Sequence, residues 1–374
     1  MKPTNYCNVD CEHCYLPLET RQNRLTMSED TIRQSANLAL KLAQNEGHKA
    51  VHFIWHGGEP LMLKPEFYYR AGEIIEEEIG KGYFTESIQT SMIPYTSKWA
   101  PLIKDRYAGS IGTSVDFTQR KIKSSSDNYV DFFLKRVALA REDGLYITPG
   151  MVPTRHELKK GSVIVNWAVD NEFDELNVER YSDVGSTNTV DRPTNRQHSE
   201  FLIELFDEVL KKLQNNERTP HINVVSACIV GLLYNLPSDR WGTKCQREFV
   251  VIEPNGDLNS CPDRAMHEKA FSNASAGAKG FQDSKDRRKW IRIMDVTHKK
   301  PHCFNCEHSS WCKSGCPVTP NGPTEGETEC SGFKTYVDYV SRALSIGNNK
   351  SLLEEYALPP GEMVVPEFDI RDLS

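Results

Sequence analysis

The sequence predicts an α/β protein with a parallel sheet, followed by a small segment that needs metal to hold its shape. Three observations lead there. Strand-like and helix-like runs alternate about five times, at spacings of roughly 30 residues, which favours βαβ units. The ends of the strand-like runs are polar, and ligands of parallel α/β sheets gather at the carboxyl ends of strands. Apart from Cys228, whose plain reading is a buried free thiol, the cysteines fall into two territories, one at the front of the chain and one after about residue 240.

The elements follow in order. KAVHFIWHGGEP is a strand-like run ending in glycines, and EFYYRAGEIIEEEIG after it has helical spacing. ESIQTSMIP precedes a segment around Trp99 to Lys104, GSIGTSVDF precedes YVDFFLKRVALARED, and YITPGMVPT precedes VIVNWAVDN. DELNVERYSD is followed by the long SEFLIELFDEVLKKLQNN, and VVSACIVGLLYNL has the look of a buried helix. The crossover rule allows a barrel-like wrap or an open doubly wound sheet. The polar strand ends are His56 to Glu59, Gln89 to Ser91, Ser114 to Asp116 and Arg180 to Ser182. After about Arg240 the periodicity fails, and DVTHKKPHCFNCEHSSWCKSGCPVTPNGPTEGETEC has no core of its own. A helix, FKTYVDYVSRALS, closes it, and the Pro-rich tail from Leu358 is expected to be a loosely held strap.

Composition narrows the function. The chain has 374 residues, 26% charged and 38% hydrophobic, with a formal net charge of −7. No apolar run approaches the roughly 20 residues needed to cross a bilayer, and Met1 to Tyr6 has no signal core. A mildly acidic chain without a basic block argues against nucleic acid as the main partner. Eleven cysteines, about 3% of the chain, lie below the roughly 8–10% of disulfide scaffolds. Clustered at short spacings without an export signal, they read as metal ligands in a reducing, cytoplasmic compartment.

The front set, CNVDCEHC, spaces Cys7, Cys11 and Cys14 as C-x3-C-x2-C. A closed zinc site needs four ligands, and His13 is the residue that would complete a Cys3His site. A [4Fe–4S] cluster on three thiolates instead keeps one iron open. This spacing resembles the signature of the radical S-adenosylmethionine (SAM) superfamily, in which SAM occupies the open iron and is cleaved to a 5′-deoxyadenosyl radical. GGEP, at Gly57, Gly58, Glu59 and Pro60, resembles that family's motif for the SAM amino group, with Glu59 offering a carboxylate and the glycines a close backbone approach. SIQTS resembles the next family strand, placing Gln89 and Thr90 at the cofactor, with Ser91 where the family usually has Asn. GTSVD resembles the strand that meets the SAM ribose, pointing to Ser114, with Asp116 beside it. The window where family members carry an Arg for the SAM carboxylate reads SSSDN, so Arg120 or Arg180 has to substitute, with Ser182 near the latter.

The rear cysteines resemble the SPASM extension of radical SAM enzymes that modify peptides and proteins; paired zinc knuckles are the plain alternative. The resemblance implies a fully ligated auxiliary [4Fe–4S] cluster on Cys303, Cys306, Cys312 and Cys330, suited to electron transfer. It implies another on Cys245, Cys261 and Cys316, whose fourth ligand is Cys228, Asp239, the substrate or an open position. Anaerobic sulfatase maturases carry a further cysteine shortly before the position of Cys245, where this chain reads NLPSDRWGTK, and an Asp directly after that of Cys261, where it reads Cys261-Pro262-Asp263. Asp263 is the first acid/base candidate, its plain alternative being a turn cap or a partner of Arg264; Asp116 is the second.

The expected fold is a partial (β/α)6 radical SAM barrel (1–215), a bridging segment (216–240), a SPASM domain (241–346) and a tail (347–374). The expected function is a peptide maturase that abstracts hydrogen from a ribosomally made precursor and installs an intramolecular cross-link. A carbon–carbon link to an aromatic ring ranks first, and a thioether or other carbon–heteroatom link second. A formylglycine-forming sulfatase maturase is the alternative enzyme, and a zinc-binding scaffold the alternative of another class. The implied cofactors are SAM and three [4Fe–4S] clusters. The implied partners are the precursor and an electron donor of flavodoxin or ferredoxin type. The front set begins at residue 7, so leader recognition is expected from the acidic surface, the tail or a separate protein.

Overall fold

The computed structural model describes residues 1–9, 11–122, 125–181, 191–242, 245–265, 269–297, 301–316, 318–319, 329–358 and 366–373. Two helices, α1 (Leu18–Gln22) and α2 (Glu29–Glu46), precede the first strand. Strands and helices then alternate: β1 (Val51–Trp55), α3 (Pro65–Ile79), β2 (Phe84–Thr90), α4 (Ala100–Arg106), β3 (Ser110–Ser114), α5 (Ser126–Glu142), β4 (Tyr146–Met151), α6 (Gly161–Asp170), β5 (Glu175–Val178), α7 (Asn195–Gln214) and β6 (His221–Ile222). The six strands form one sheet in chain order, every neighbouring pair parallel. A doubly wound sheet reverses its order partway. This one never does, so the barrel-like wrap is the one realised. Among the described residues β6 does not pair with β1, which leaves the barrel partial.

Local signals explain the boundaries. Ser28 caps α2 by accepting from the Thr31 N–H, and Gly47, at φ 72°, ends it in the left-handed conformation that glycine adopts without strain. Thr194 and Gln197 form a reciprocal capping box at the start of α7. The side chains facing inward are large, with Trp55, Tyr68, Tyr129, Phe133, Phe201 and Phe206 fully buried. One buried position of β2 is a carboxylate, Glu86, which accepts from Trp55 Nε1 at 2.9 Å and from Arg106 Nε at 2.8 Å. Arg106 reaches it across Gly72 of α3, where a Cβ would overlap the guanidinium.

The rear half is built from short pieces. After α8 (Asn223–Tyr234) come α9 (Cys245–Glu248), β7 (Val251–Ile252), β8 (Asp257–Asn259), α10 (Pro262–Ala265), β9 (Ser272–Asn273), α11 (Gly277–Gln282), α12 (Lys285–Thr297), α13 (Ser309–Cys312), α14 (Lys334–Leu344) and α15 (Asn349–Tyr356). The strands β7, β8 and β9 make a small antiparallel sheet. As expected of a segment without its own core, its buried aromatics lean on other elements. Trp311 packs on Trp241 with ring centroids 5.4 Å apart, and a Cβ at Gly231 of α8 would overlap its ring.

Two features differ from the sequence reading. The sixth strand has two residues, too few to show a period. The tail is docked: Phe368 donates its N–H to Gly82 O and packs 5.2 Å from the Tyr83 ring, while Ile370 is buried and donates to Lys49 O. Two aromatic and aliphatic side chains in a polar tail were enough to tie residues 366–373 down. Among the described residues no helix is long and apolar enough to cross a membrane.

Candidate active site

The front cysteines are carried on a loop pinned to the barrel. Cys7 donates its N–H to Arg21 O, Glu12 to Gln119 O, and Cys11 bridges to Arg120. Cys14 donates to Cys11 O at 3.3 Å, and the Val9 N–H points at Cys7 Sγ at 3.4 Å. The three thiols lie within electrostatic reach of one another. Burial raises Cys7 to about 11 and Cys11 to about 12, with Arg120 opposing the rise. Such buried thiols ionise only when a cation takes the proton's place, which suits a metal site. His13 faces Asp116 through Nε2 at 3.4 Å, and its buried Nδ1 has no partner among the described residues.

The GGEP turn is shaped by the chain's first residues. Gly58 and Glu59 donate their N–H groups to Thr4 O and Tyr6 O. A Cβ at Gly57 would come within 2.6 Å of Thr4 O, and one at Gly58 would overlap the carbonyls of Asn5 and Tyr6. The glycines are therefore needed for the passage of residues 4–6, a reason the motif does not reveal. The Glu59 carboxylate accepts from Leu61 N at 2.9 Å, Thr90 Oγ1 at 2.5 Å, Ser91 N at 2.8 Å and Ser91 Oγ. With both oxygens engaged in the protein it braces the turn against β2. Ser91, given no firm role from sequence, is half of that brace. Pro60 accepts from the Tyr68 hydroxyl, Gln89 donates to Ser114 Oγ at 3.3 Å, and the Ser114 carbonyl accepts from Tyr129. The ends of β1, β2 and β3 are thus drawn together over the front cysteines.

The two carboxylates expected to act as acid or base are both tied down. Asp116 accepts from Arg120 Nε at 2.6 Å and Val152 N at 3.0 Å. Burial alone would raise its carboxyl; His13, Arg120 and the amide outweigh that and hold it well below the usual carboxylate range. Such a group anchors its neighbours and is a poor proton acceptor. Asp263 is ion-paired with Arg180, 83 residues away. Arg120 stands beside Cys11 and Asp116, whereas Arg180 faces Cys316 and Cys261. Ser182 lies outside the described residues, as does the side chain of Arg264.

The rear cysteines lie in two places. Cys303, Cys306, Cys312 and Cys330 line one cavity of about 350 Å³. Gly332 is part of its wall: a Cβ there would lie 2.5 Å from Cys312 Sγ and 3.8 Å from Cys330 Sγ. Four thiols converging on one void with a side-chain-free wall fit a closed cluster. Cys245, Cys261 and Cys316 instead gather around Arg180. Cys228 does not join them. It is fully buried in α8, facing Tyr336 and Cys312. Asp239 is bonded to Arg240 Nε at 3.3 Å.

Sequence reasoning also missed the polar groups between the two halves. Lys2 pairs with Glu253 at 2.6 Å, and Asn5 donates to the same carboxylate. Tyr15 stacks on His56 with centroids 6.3 Å apart, and Lys2 Nζ lies 5.1 Å over its ring. No local pattern signals partners some 250 residues apart.

Known proteins share this arrangement. Residues 1–159 match the model of the Radical SAM superfamily. A stretch of 123 residues is 33% identical to an uncharacterised Synechocystis protein, covering 31% of this chain and 29% of that one. A cysteine-type anaerobic sulfatase-maturating enzyme of Clostridium perfringens is 22% identical over 92% of this chain and 96% of its own length. Among solved structures, native anSMEcpe with bound AdoMet and Cp18Cys peptide superposes with a TM-score of 0.71 at 17% identity, covering 95% of each chain. Streptococcus suis SuiB bound to precursor peptide SuiA gives 0.59 at 17% identity, covering 88% of this chain and 73% of that one. Sequence match and sheet order agree that residues 1–159 are a Radical SAM domain, and the chain is an enzyme.

Proposed function

We propose that this enzyme matures a ribosomally made peptide, installing an intramolecular cross-link, with a carbon–carbon bond to an aromatic ring ranked ahead of a carbon–heteroatom bond. The observation that carries the reading is the rear cavity lined by Cys303, Cys306, Cys312 and Cys330, beside the three-cysteine set around Arg180. A chain that only cleaved SAM would need no cysteines beyond Cys7, Cys11 and Cys14. Those three would hold a [4Fe–4S] cluster with SAM, which supplies the 5′-deoxyadenosyl radical when bound. The backbone around Gly57 to Pro60 would receive the SAM amino group, Ser114 and Gln89 its ribose, and Arg120 its carboxylate. Residues 1–215 would form the catalytic barrel, 216–240 a bridge, 241–346 the two-cluster domain and 347–374 the tail. A small acidic electron carrier would feed the clusters, and a separate protein would present the leader.

Formylglycine formation is the second reading. It is favoured by the full-length likeness to the sulfatase-maturating enzyme. The pairing of Asp263 with Arg180 counts against it. Anaerobic reconstitution should give about 12 irons per chain, and a colourless, zinc-rich protein would remove both readings. The loaded enzyme is then incubated with small peptides encoded beside its gene and with a cysteine peptide of sulfatase type. Loss of two hydrogens with a cross-linked fragmentation pattern supports the proposal. Aldehyde formation on the sulfatase peptide alone overturns it.

A further inference from the structure

Strand β5 ends at Val178, and the three residues after it reach three different parts of the site. The Tyr181 ring lies 6.4 Å from that of His13, between Cys11 and Cys14. Arg180 pairs with Asp263 and faces Cys261 and Cys316. Glu179, fixed through its N–H to Met151 O at 2.8 Å, stands between two ion pairs, Arg180–Asp263 and Arg240–Asp239. Both arginines already have partners, since Arg240 also holds His198 Nε2 and Val178 O. Glu179 is exposed while Val178 and Tyr181 are buried, and no hydrogen bond or ion pair among the described residues holds its carboxylate.

We propose, on the reading of this chain as a cross-linking peptide maturase, that Glu179 is the base that takes the substrate's proton in the bond-forming step. The carboxylates suggested by sequence are occupied, Asp116 by Arg120 and Val152, Asp263 by Arg180. Among the described residues, Glu179 is the carboxylate left open where the barrel faces the rear cysteines. The step balances. Closing one bond removes two hydrogens from the peptide. One C–H bond breaks homolytically, its hydrogen atom passing to the 5′-carbon derived from SAM. The new bond forms as the second hydrogen leaves as a proton to Glu179, and the surplus electron passes to an oxidant of the iron–sulfur cluster class. Although the Glu179 side chain reaches solvent, the protein packed around it first, and then the charge of Asp239, raise its carboxyl above the ordinary value, with Arg240 and Arg180 opposing and Asp263 adding to the rise. A carboxylate so raised is a stronger proton acceptor near neutral pH.

The test uses reconstituted holoenzyme and the gene-neighbour peptides. In E179Q, cross-linked product per 5′-deoxyadenosine should fall at least about a hundredfold. The acidic limb of the wild-type pH profile should shift in E179D and vanish in E179Q. An E179Q enzyme with the wild-type ratio and acidic limb overturns the assignment and leaves the proposed function standing. A wild type that cross-links none of the peptides brings down the proposed function, and the assignment with it. A second measurement needs no cluster: carboxyl-13C NMR of metal-free protein labelled at glutamate. The resonance missing from E179Q should titrate above the ordinary glutamate value of about 4.3. Titration at that ordinary value overturns the proposal.

Discussion

Cys7, Cys11 and Cys14 hang on a loop whose backbone bonds run to distant parts of the chain: Cys7 to Arg21, Glu12 to Gln119, Met27 to Pro3, Lys2 to Ile252. The backbone around Cys303, Cys306 and Cys312 bonds mostly to itself, Cys306 to Cys303, Cys312 to His308 and Gly315 to Cys312. The front loop is placed by the barrel, so it keeps its geometry before any metal arrives. The rear segment closes short local turns and leaves its overall shape to whatever the four thiols hold. An open cluster position calls for a fixed scaffold, because a second ligand must dock there; a closed cluster can serve as its own scaffold.

The largest effects should break that comparison in opposite directions. Cys11→Ala should reduce 5′-deoxyadenosine formation to background while leaving thermal stability nearly unchanged. Cys312→Ala should lose about four irons and open the chain to proteolysis between Cys303 and Cys316. Nucleoside assay, thermal unfolding, iron counting and limited proteolysis read the four outcomes. A Cys11→Ala protein that unfolds, or a Cys312→Ala protein that resists protease, would erase the distinction.

Next in size is Arg106→Met, which leaves Glu86 buried beside Trp55 without its cation. Stranding one member of a buried pair costs about 3–5 kcal/mol, read by urea unfolding. The barrel does not depend on metal in this account, so the loss should be the same with and without iron.

His56, at the end of β1, gives a smaller, pH-dependent effect. Burial first, and then the charge of Lys2, lowers its value from 6.5 to about 4. The unfolded chain therefore takes up the proton first, and stability falls as pH drops from about 6.5 toward 4. At pH 5 the loss is about 2 kcal/mol. His56→Phe should flatten the slope of stability against pH in that window; an unchanged slope would assign the loss to other groups.

Much of this was legible beforehand for a physical reason. The helices and five of the strands carry their period in consecutive residues, and the cysteine sets carry their spacing. What stayed hidden depends on distant residues meeting. The two residues of β6 show no period. Gly57 and Gly58 are glycines because residues 4–6 cross them. Asp263 pairs with Arg180, and Cys228 is a core thiol because α8 turns it toward Tyr336. Motifs name the residue types at a site, while the partners that decide their roles come from elsewhere in the chain.

The smallest effect tests that point at Glu59. The motif reading gives its carboxylate to the cofactor; the hydrogen bonds give it to Thr90 and Ser91. Thr90→Val keeps the shape and removes one donor of four, so it should cost about 1 kcal/mol, and Ser91→Ala a similar amount. Because both act on one carboxylate, the double variant should depart from the sum by about 0.5 kcal/mol or more. This coupling should appear in metal-free protein without SAM, where a cofactor contact would contribute nothing. Additive losses there would return Glu59 to the ligand.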